Sequence, residues 1–294
     1  MLIAFASDYG LTDEFVGVCK AVMLGLAPDV RVIDISHDIP AHDVRAGALL
    51  LVRAVQYLPD DCIVVAVVDP GVGTIRRLVG VEVAGGVLLG PDNGLLAPAV
   101  AMAGGARSVV ALDDPDYQLP APGPTFAGRD ILAPAAGHLA SGVPLAQLGS
   151  PVDPAGLVPG LVSLPEVRPD GSIAGEVWWV DRFGNCQLNI DPGELGAGGA
   201  RPGGRVEVHL SGQIQPNEIR VARWVHTYAD AKPSELVLLV DSYGLLALAL
   251  DRESAAVALG LKAGSGVTLV PEGTGPSAAD GVSTNVQLTD KGDR

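Results

Sequence analysis

Three short polar clusters, Ser7-Asp8-Tyr9-Gly10, Ser36-His37-Asp38 and Asp69-Pro70-Gly71-Val72-Gly73-Thr74, each follow directly on an apolar run. Ligands of open α/β sheets bind beyond the carboxyl ends of the strands, so polar residues at three such ends converge on one edge as a candidate site. Asp, Ser and Gly are also ordinary turn and cap residues, and that is the competing account of any one cluster taken alone. Arg76 stands seven residues after Asp69. A turn between them folds the guanidinium back toward the carboxylate, keeping Asp69 ionised and ready to orient a water; a plain surface ion pair is the alternative. The glycines after Asp69 form neither a GxGxxG nor a P-loop, so a phosphate cradle finds little support.

Further along, Thr125-Phe126-Ala127-Gly128-Arg129-Asp130 and Asp181-Arg182-Phe183-Gly184-Asn185 repeat the mixture of acid, amide and aromatic, and Tyr228 stands by itself. Such residues can read an ammonium, a carboxylate and an aromatic ring face. The five histidines (His37, His42, His138, His209, His226) show no HxxxH or HExxH spacing, and the three cysteines (Cys19, Cys62, Cys186) form no CxxC pair. No metal site is expected, and the cysteines read as buried thiols. The chain carries 34 acidic against 19 basic residues, a net charge of -15, which argues against nucleic acid and anionic membranes as partners.

The elements that must position these residues follow from the pattern. Runs at Leu2-Ala6, Arg31-Ile35 and Cys62-Val68 alternate with helical stretches at about Asp13-Leu26 and Asp43-Tyr57, which predicts a mainly parallel sheet with helices on its faces. Strands at Leu78-Val83, Val87-Leu89 and Ser108-Leu112 and helices at Ala97-Ala103 and Asp130-Ser141 extend this α/β domain to about residue 160. Pro144 to Pro169, with six prolines, reads as the connection. Short runs between 170 and 271, among them Ile173-Val180, Cys186-Ile190, Arg205-Leu210, Leu236-Val240, Leu245-Leu250 and Gly266-Val270, predict a smaller antiparallel all-β, barrel-like domain. Residues 272–294, rich in Gly, Ser and Asp, are expected to form a flexible tail. The start of the chain reads as a core strand rather than a signal peptide, and no apolar run is long enough to span a bilayer, so a cytoplasmic location is expected.

Taken in order, these segments resemble the SAM hydroxide adenosyltransferases, the adenosine-forming hydrolases of S-adenosyl-L-methionine (SAM), which are related to the SAM-dependent fluorinase and chlorinase. The anchors are Ser7-Asp8-Tyr9-Gly10 with Thr12-Asp13, Asp69 to Thr74 with Arg76, Gly90-Pro91-Asp92-Asn93-Gly94-Leu95-Leu96, and Pro124-Thr125-Phe126 with Gly128-Arg129-Asp130. Asp181 with Phe183-Gly184-Asn185, Thr227-Tyr228-Ala229-Asp230 and Ser242-Tyr243-Gly244 complete the set. The resemblance implies an α/β domain followed by a β-barrel-like domain, in a homotrimer with SAM held at the subunit interface. It implies that Asp8 holds the ribose diol and that Phe126, beside Gly128, lines the ribose and sulfonium region. Asp181, Asn185 and Ser242 would take the methionine ammonium and carboxylate, and Tyr228 would pack on adenine. His42 stands where the fluorinase carries a tryptophan.

In the hydrolases an Asp, an Arg and a His are associated with the attacking water. Asp69 and Arg76 match the first two, but the position of the histidine is Ala127 here, which implies retained SAM binding with depressed turnover. SAM is then the substrate and no cofactor is implied, because a sulfonium leaves as a neutral thioether without help from an acid or a metal. A halide transferase is disfavoured by Asp69, since a carboxylate beside the nucleophile repels an anion. A SAM-binding protein with little catalysis, a sensor or sink, is the reading that Ala127 favours.

Overall fold

The computed structural model describes residues 1–160, 162–211 and 216–272, which form two compact units divided between Val162 and Ser163. Apart from Glu272, the expected tail lies outside the described residues.

The first unit is built on a sheet whose strands are β1 (Leu2–Ser7), β2 (Arg31–Ser36), β3 (Cys62–Val67), β4 (Leu78–Val83), β5 (Gly86–Pro91), β6 (Ser108–Ala111) and β7 (Ser150–Pro151). Their order is β2-β1-β3-β5-β4-β6-β7. β2, β1, β3 and β5 run parallel, and β4, β6 and β7 extend one edge in antiparallel pairing. Every residue of β3 is buried, as its uninterrupted Cys-Ile-Val-Val-Ala-Val run requires of a strand covered on both faces. On one face lie α1 (Phe15–Leu26) and the helical stretch that starts with a π-turn at Gly128–Leu132; there Cys19, Met23 and Leu132 pack on Phe5, Val65 and Leu89. α2 (Val44–Val55) packs with α3 (Ala97–Met102). Asp43 caps α2 by accepting from the backbone N–H of Ala46 at 2.8 Å, the start its position in the sequence suggests. The helix predicted from Asp130 begins differently: the π-turn leads into α4 (Ala133–Ala140), which carries Pro134 in its first turn. Such turns often mark functional positions.

The second unit is a closed barrel. β8 (Glu166–Val167), β9 (Ile173–Val180), β10 (Cys186–Leu188), β11 (Arg205–Ser211), β12 (Pro216–Trp224), β13 (Val237–Val240), β14 (Leu246–Ala249) and β15 (Gly266–Pro271) follow the order β10-β14-β13-β12-β11-β15-β9-β8, and β10 also pairs with β9 to close the ring. Its core collects the inward side chains, Val177, Leu188, Val206, Val208, Trp224 and Leu248 among them. The expectation of antiparallel strands needs one correction, because β12 and β13 run parallel. Sequence reading also passed over β12 and α5 (Pro192–Ala197), whose start is held by a capping box between Asp191 and Glu194. α6 (Ala255–Leu259) is capped by Ser254, whose hydroxyl accepts from the Val257 N–H at 3.1 Å.

All three cysteines are free and buried, and burial pushes their thiols up to about 12 for Cys19, 11 for Cys62 and 12 for Cys186. They are packing residues with little thiolate character. No helix of the described residues is long and apolar enough to cross a membrane, and no three His, Cys, Asp or Glu side chains among them are grouped to hold a metal ion.

Candidate active site

Parallel pairing brings the ends of β1 and β3 level, and this sets the site. Ser7 lies opposite Val67, and the N–H of Asp8 donates to the Val67 carbonyl at 3.2 Å, so Asp8 and Asp69 leave adjacent strands at neighbouring points. A cavity of about 560 Å³ opens there, with Asp8, His42, Asp69, Phe126, Ala127 and Gly128 on its wall.

Asp8 is oriented by the backbone. One of its oxygens accepts from the N–H of His42 at 2.9 Å, and His42 has φ 67°, a left-handed conformation that residues with side chains rarely adopt. Asp69 and Arg76 form the ion pair their spacing allows. Arg76 Nε donates to both carboxylate oxygens of Asp69 at 2.8 Å, and Nη2 donates to Oδ2 as well. The side chains of Arg76 and Asp69 are 16% and 6% exposed, which removes the surface-pair alternative. A forked, largely buried contact of this kind fixes the carboxylate in direction as well as charge.

A second cavity of about 560 Å³ lies on the Arg76 side, where Thr74, Gln118 and Asp130 also face it, and it shares Pro122, Gly123 and Ala127 with the first. Ala127 therefore stands on the wall of both spaces, one reached by Asp69 and the other by Arg76. His138, eleven residues on, lines neither; it packs edge-on against Tyr117 with ring centroids 5.0 Å apart.

Tyr9, Phe15 and Phe126 form a mutually edge-on aromatic cluster with centroids 5.1 to 5.7 Å apart, and the Arg129 guanidinium lies 4.9 Å from the Phe126 ring. The sequence reading gave Tyr9, Phe15 and Arg129 no role, although Tyr9 sits inside the first polar cluster. Burial, and then the negative charges of neighbours that include Asp8, Asp69 and Asp130, push the Tyr9 phenol well above its ordinary value, so it stays protonated. Its hydroxyl lies against Gly128. A Cβ built there collides with the hydroxyl oxygen and comes within 3.1 Å of Cζ, in a ring already held by Phe15 and Phe126. Gly128→Ala is therefore expected to lower stability by about 1–3 kcal/mol, the usual cost of overpacking. Adding Tyr9→Phe, which deletes the colliding oxygen, should recover most of it in thermal melts; equal melting temperatures for wild type and Gly128→Ala would contradict the contact.

The remaining predicted site residues belong to the second unit. Asp181 Oδ1 accepts from the N–H groups of Phe183 and Asn185 at 2.9 Å each, and Oδ2 accepts from Asn185 Nδ2 at 2.8 Å, so Asp181 and Asn185 are locked in one turn. Gly184 makes the turn possible, with φ 84° and a face so close to Ser254 that a Cβ would lie 2.7 Å from the Ser254 Cα. Ser242 is exposed on a similar turn, organised by Asp241, whose Oδ1 accepts from Tyr243 N at 2.9 Å and Leu245 N at 3.2 Å. Asp241, which also accepts from Gln187 Nε2, was missed by sequence reading, although Asp-Ser-Tyr-Gly echoes Asp-Arg-Phe-Gly. Partial burial, and then the charges of Asp181 and Asp241, raise the Tyr228 phenol above its ordinary value.

Similarity to known proteins agrees with this architecture. Residues 3–149 match the SAM hydroxide adenosyltransferase N-terminal domain and residues 175–268 the corresponding C-terminal domain. A protein of Salinispora tropica named (R)-S-adenosyl-L-methionine hydrolase is 43% identical over 267 residues, which cover 89% of this chain and 95% of that protein. A fluorinase of Nocardia brasiliensis is 31% identical, covering 90% of this chain and 95% of its own. The crystal structure of an uncharacterized conserved protein from Thermotoga maritima superimposes with a TM-score of 0.84 at 30% identity, over 91% of this chain and 99% of that one. With both domains matched in order and near full-length relatives on either side of the hydrolase–fluorinase divide, the chain belongs to the SAM hydroxide adenosyltransferase family.

Proposed function

We propose that this protein hydrolyses SAM to adenosine and L-methionine. Water attacks the ribose C5' carbon, the new C5'–O bond forms as C5'–S breaks, and the bonding pair leaves on sulfur as the thioether of methionine. The water proton passes to Asp69 or to solvent. The observation that carries this reading is the forked Asp69–Arg76 pair at the edge of a cavity that also holds Asp8 and Phe126. Asp69 orients the water and accepts its proton, while Arg76 stabilises hydroxide character. The chief contribution is alignment of water, C5' and sulfur, which is able to supply several kcal/mol of barrier reduction.

Asp8 takes the ribose diol as a paired acceptor, and Phe126, packed beside Gly128, lines the sugar and the sulfonium. Asp181, Asn185 and Ser242 take the amino-acid end and Tyr228 covers adenine. These fall on the second unit, and the reading includes the homotrimer that the family resemblance implies, in which neighbouring subunits complete each site. The reaction runs without a cofactor, in the cytoplasm. Asp69 argues against halide as the nucleophile, since the repulsion between a chloride or fluoride and an adjacent carboxylate is about a few kcal/mol in a partly buried site.

A second reading, a SAM-binding protein with little turnover, is favoured by one observation, that only the Ala127 methyl group stands on the wall the two cavities share, at the position where the family resemblance implies a histidine. Incubation with SAM followed by chromatography separates the readings. Slow release of adenosine is the expected result; stoichiometric binding of intact SAM supports the sensor, and the absence of binding sinks both.

A further inference from the structure

Behind Asp8 lies a polar chain, buried at one end and open to solvent at the other, that the proposed mechanism leaves unused. Lys20 Nζ donates to Asp34 Oδ2 at 2.6 Å, His37 Nε2 lies 3.0 Å from Asp34 Oδ1, and His37 Nδ1 lies 2.7 Å from Ser7 Oγ. Ser7 is fully buried and the His37 side chain is 2% exposed, whereas that of Asp34 is 42% exposed. The composition is that of a serine hydrolase triad, but a hydroxyl without exposure has no access to a substrate, so nucleophilic chemistry is ruled out at Ser7.

Proton bookkeeping gives the chain a different meaning. The N–H of Tyr9 donates to Ser7 Oγ at 3.3 Å, so the serine proton is free to point at His37 Nδ1, and the Nε2 proton of a neutral imidazole then points at Asp34. That single tautomer satisfies every member. His37 also holds the backbone directly, since its carbonyl accepts from the Gly10 N–H at 2.8 Å. Both peptides after Asp8 are thus tied to His37, one through Ser7 and one through the main chain. Five residues on, His42 supplies the N–H that orients the Asp8 carboxylate.

The geometry points to His37, with Ser7 and Asp34, as a positioning relay that aims Asp8 at the ribose diol of the substrate. This rests on the reading of Asp8 under the proposed function and extends it to three residues that touch no ligand. A histidine that only fills the core, where it meets Phe5 edge-on at 4.7 Å, would support the fold without distinguishing one sugar from another.

The test compares the affinity of the full-length protein for SAM and for its 2'-deoxy analogue by calorimetry. Wild type should prefer SAM by about tenfold or more, as hydrogen bonds to a charged carboxylate imply. His37→Phe keeps the ring but removes both nitrogens; it should weaken SAM about tenfold, leave the deoxy analogue nearly unchanged and so abolish the preference. His37→Asn, which returns an acceptor toward Ser7, should restore part of it. Equal weakening of both ligands, or a preserved preference, overturns the relay. If His37→Phe does not fold, Asp34→Ala at the exposed end reads the same ratio, with a smaller loss expected and an unchanged ratio counting against the proposal. Asp8→Ala separates the two levels: a preference that survives it removes the ribose assignment itself, whereas one lost in Asp8→Ala but kept in His37→Phe removes only the relay.

Discussion

Replacing Ala127 by histidine is expected to raise the rate of adenosine release by about 10²- to 10⁴-fold, the usual contribution of a positioned general base, with little change in SAM affinity. Three features of the position support this. Ala127 has φ -60° and ψ -28°, a helical conformation that any L-residue adopts without strain. It borders the space reached by Asp69 and the space reached by Arg76, so an imidazole there lies beside the water that the pair would hold. Imidazole also titrates near neutral pH, where proton transfer is most effective. Single-turnover chromatography of wild type and Ala127→His is the measurement, and an unchanged rate rejects the idea that the alanine is what limits catalysis.

The second large effect is expected from Asp69→Asn, which removes the proton acceptor and nearly preserves the shape. Measured in the Ala127→His background, where the rate is highest, turnover should fall by about 10²-fold or more while SAM binding persists. Stability should fall too, because Arg76 keeps its charge in a largely buried place with only a neutral amide opposite. Losing one partner of a buried pair typically costs about 3–5 kcal/mol, and the 16% exposure of Arg76 puts this case toward the lower end. A variant that melts lower yet turns over normally would assign the pair to the fold alone.

The parallel core was legible because its strands are unbroken apolar runs, as in Cys62–Val67, and because Asp43 announces the start of α2. Leu78–Val83 and Ile173–Val180 form strands over the predicted residues. β12 was not legible. Its apolar Ile219 and Val221 are 54% and 51% exposed while Ala222 and Trp224 face the core, so the alternation does not separate inside from outside. α5 is six residues long and contains two glycines, too short for periodicity to register, and its capping box carries the signal instead. The Asp69–Arg76 pair was readable because both ends belong to one turn. The Ser7–His37–Asp34 chain was not, because it depends on how β1 meets β2. Phe5 pairs with Asp34 but Ala6 pairs with Ser36, and no local pattern announces that slip in register. The π-turn at Gly128 was missed for a related reason: which turn the backbone adopts there is decided by what the segment packs against.

The ion pair has one more consequence, which follows from where its ends are rooted. Asp69 follows the exit of β3 and Arg76 precedes the entry to β4, and these strands do not touch, since β5 lies between them. The guanidinium clasp therefore ties the end of one row of the sheet to the start of another that it does not touch, and closes segment 70–75 into a loop, so that less of its freedom remains to be lost on binding. Stiffness of this kind is inherited from the scaffold, so the direction of the Asp69 carboxylate is set by the fold itself.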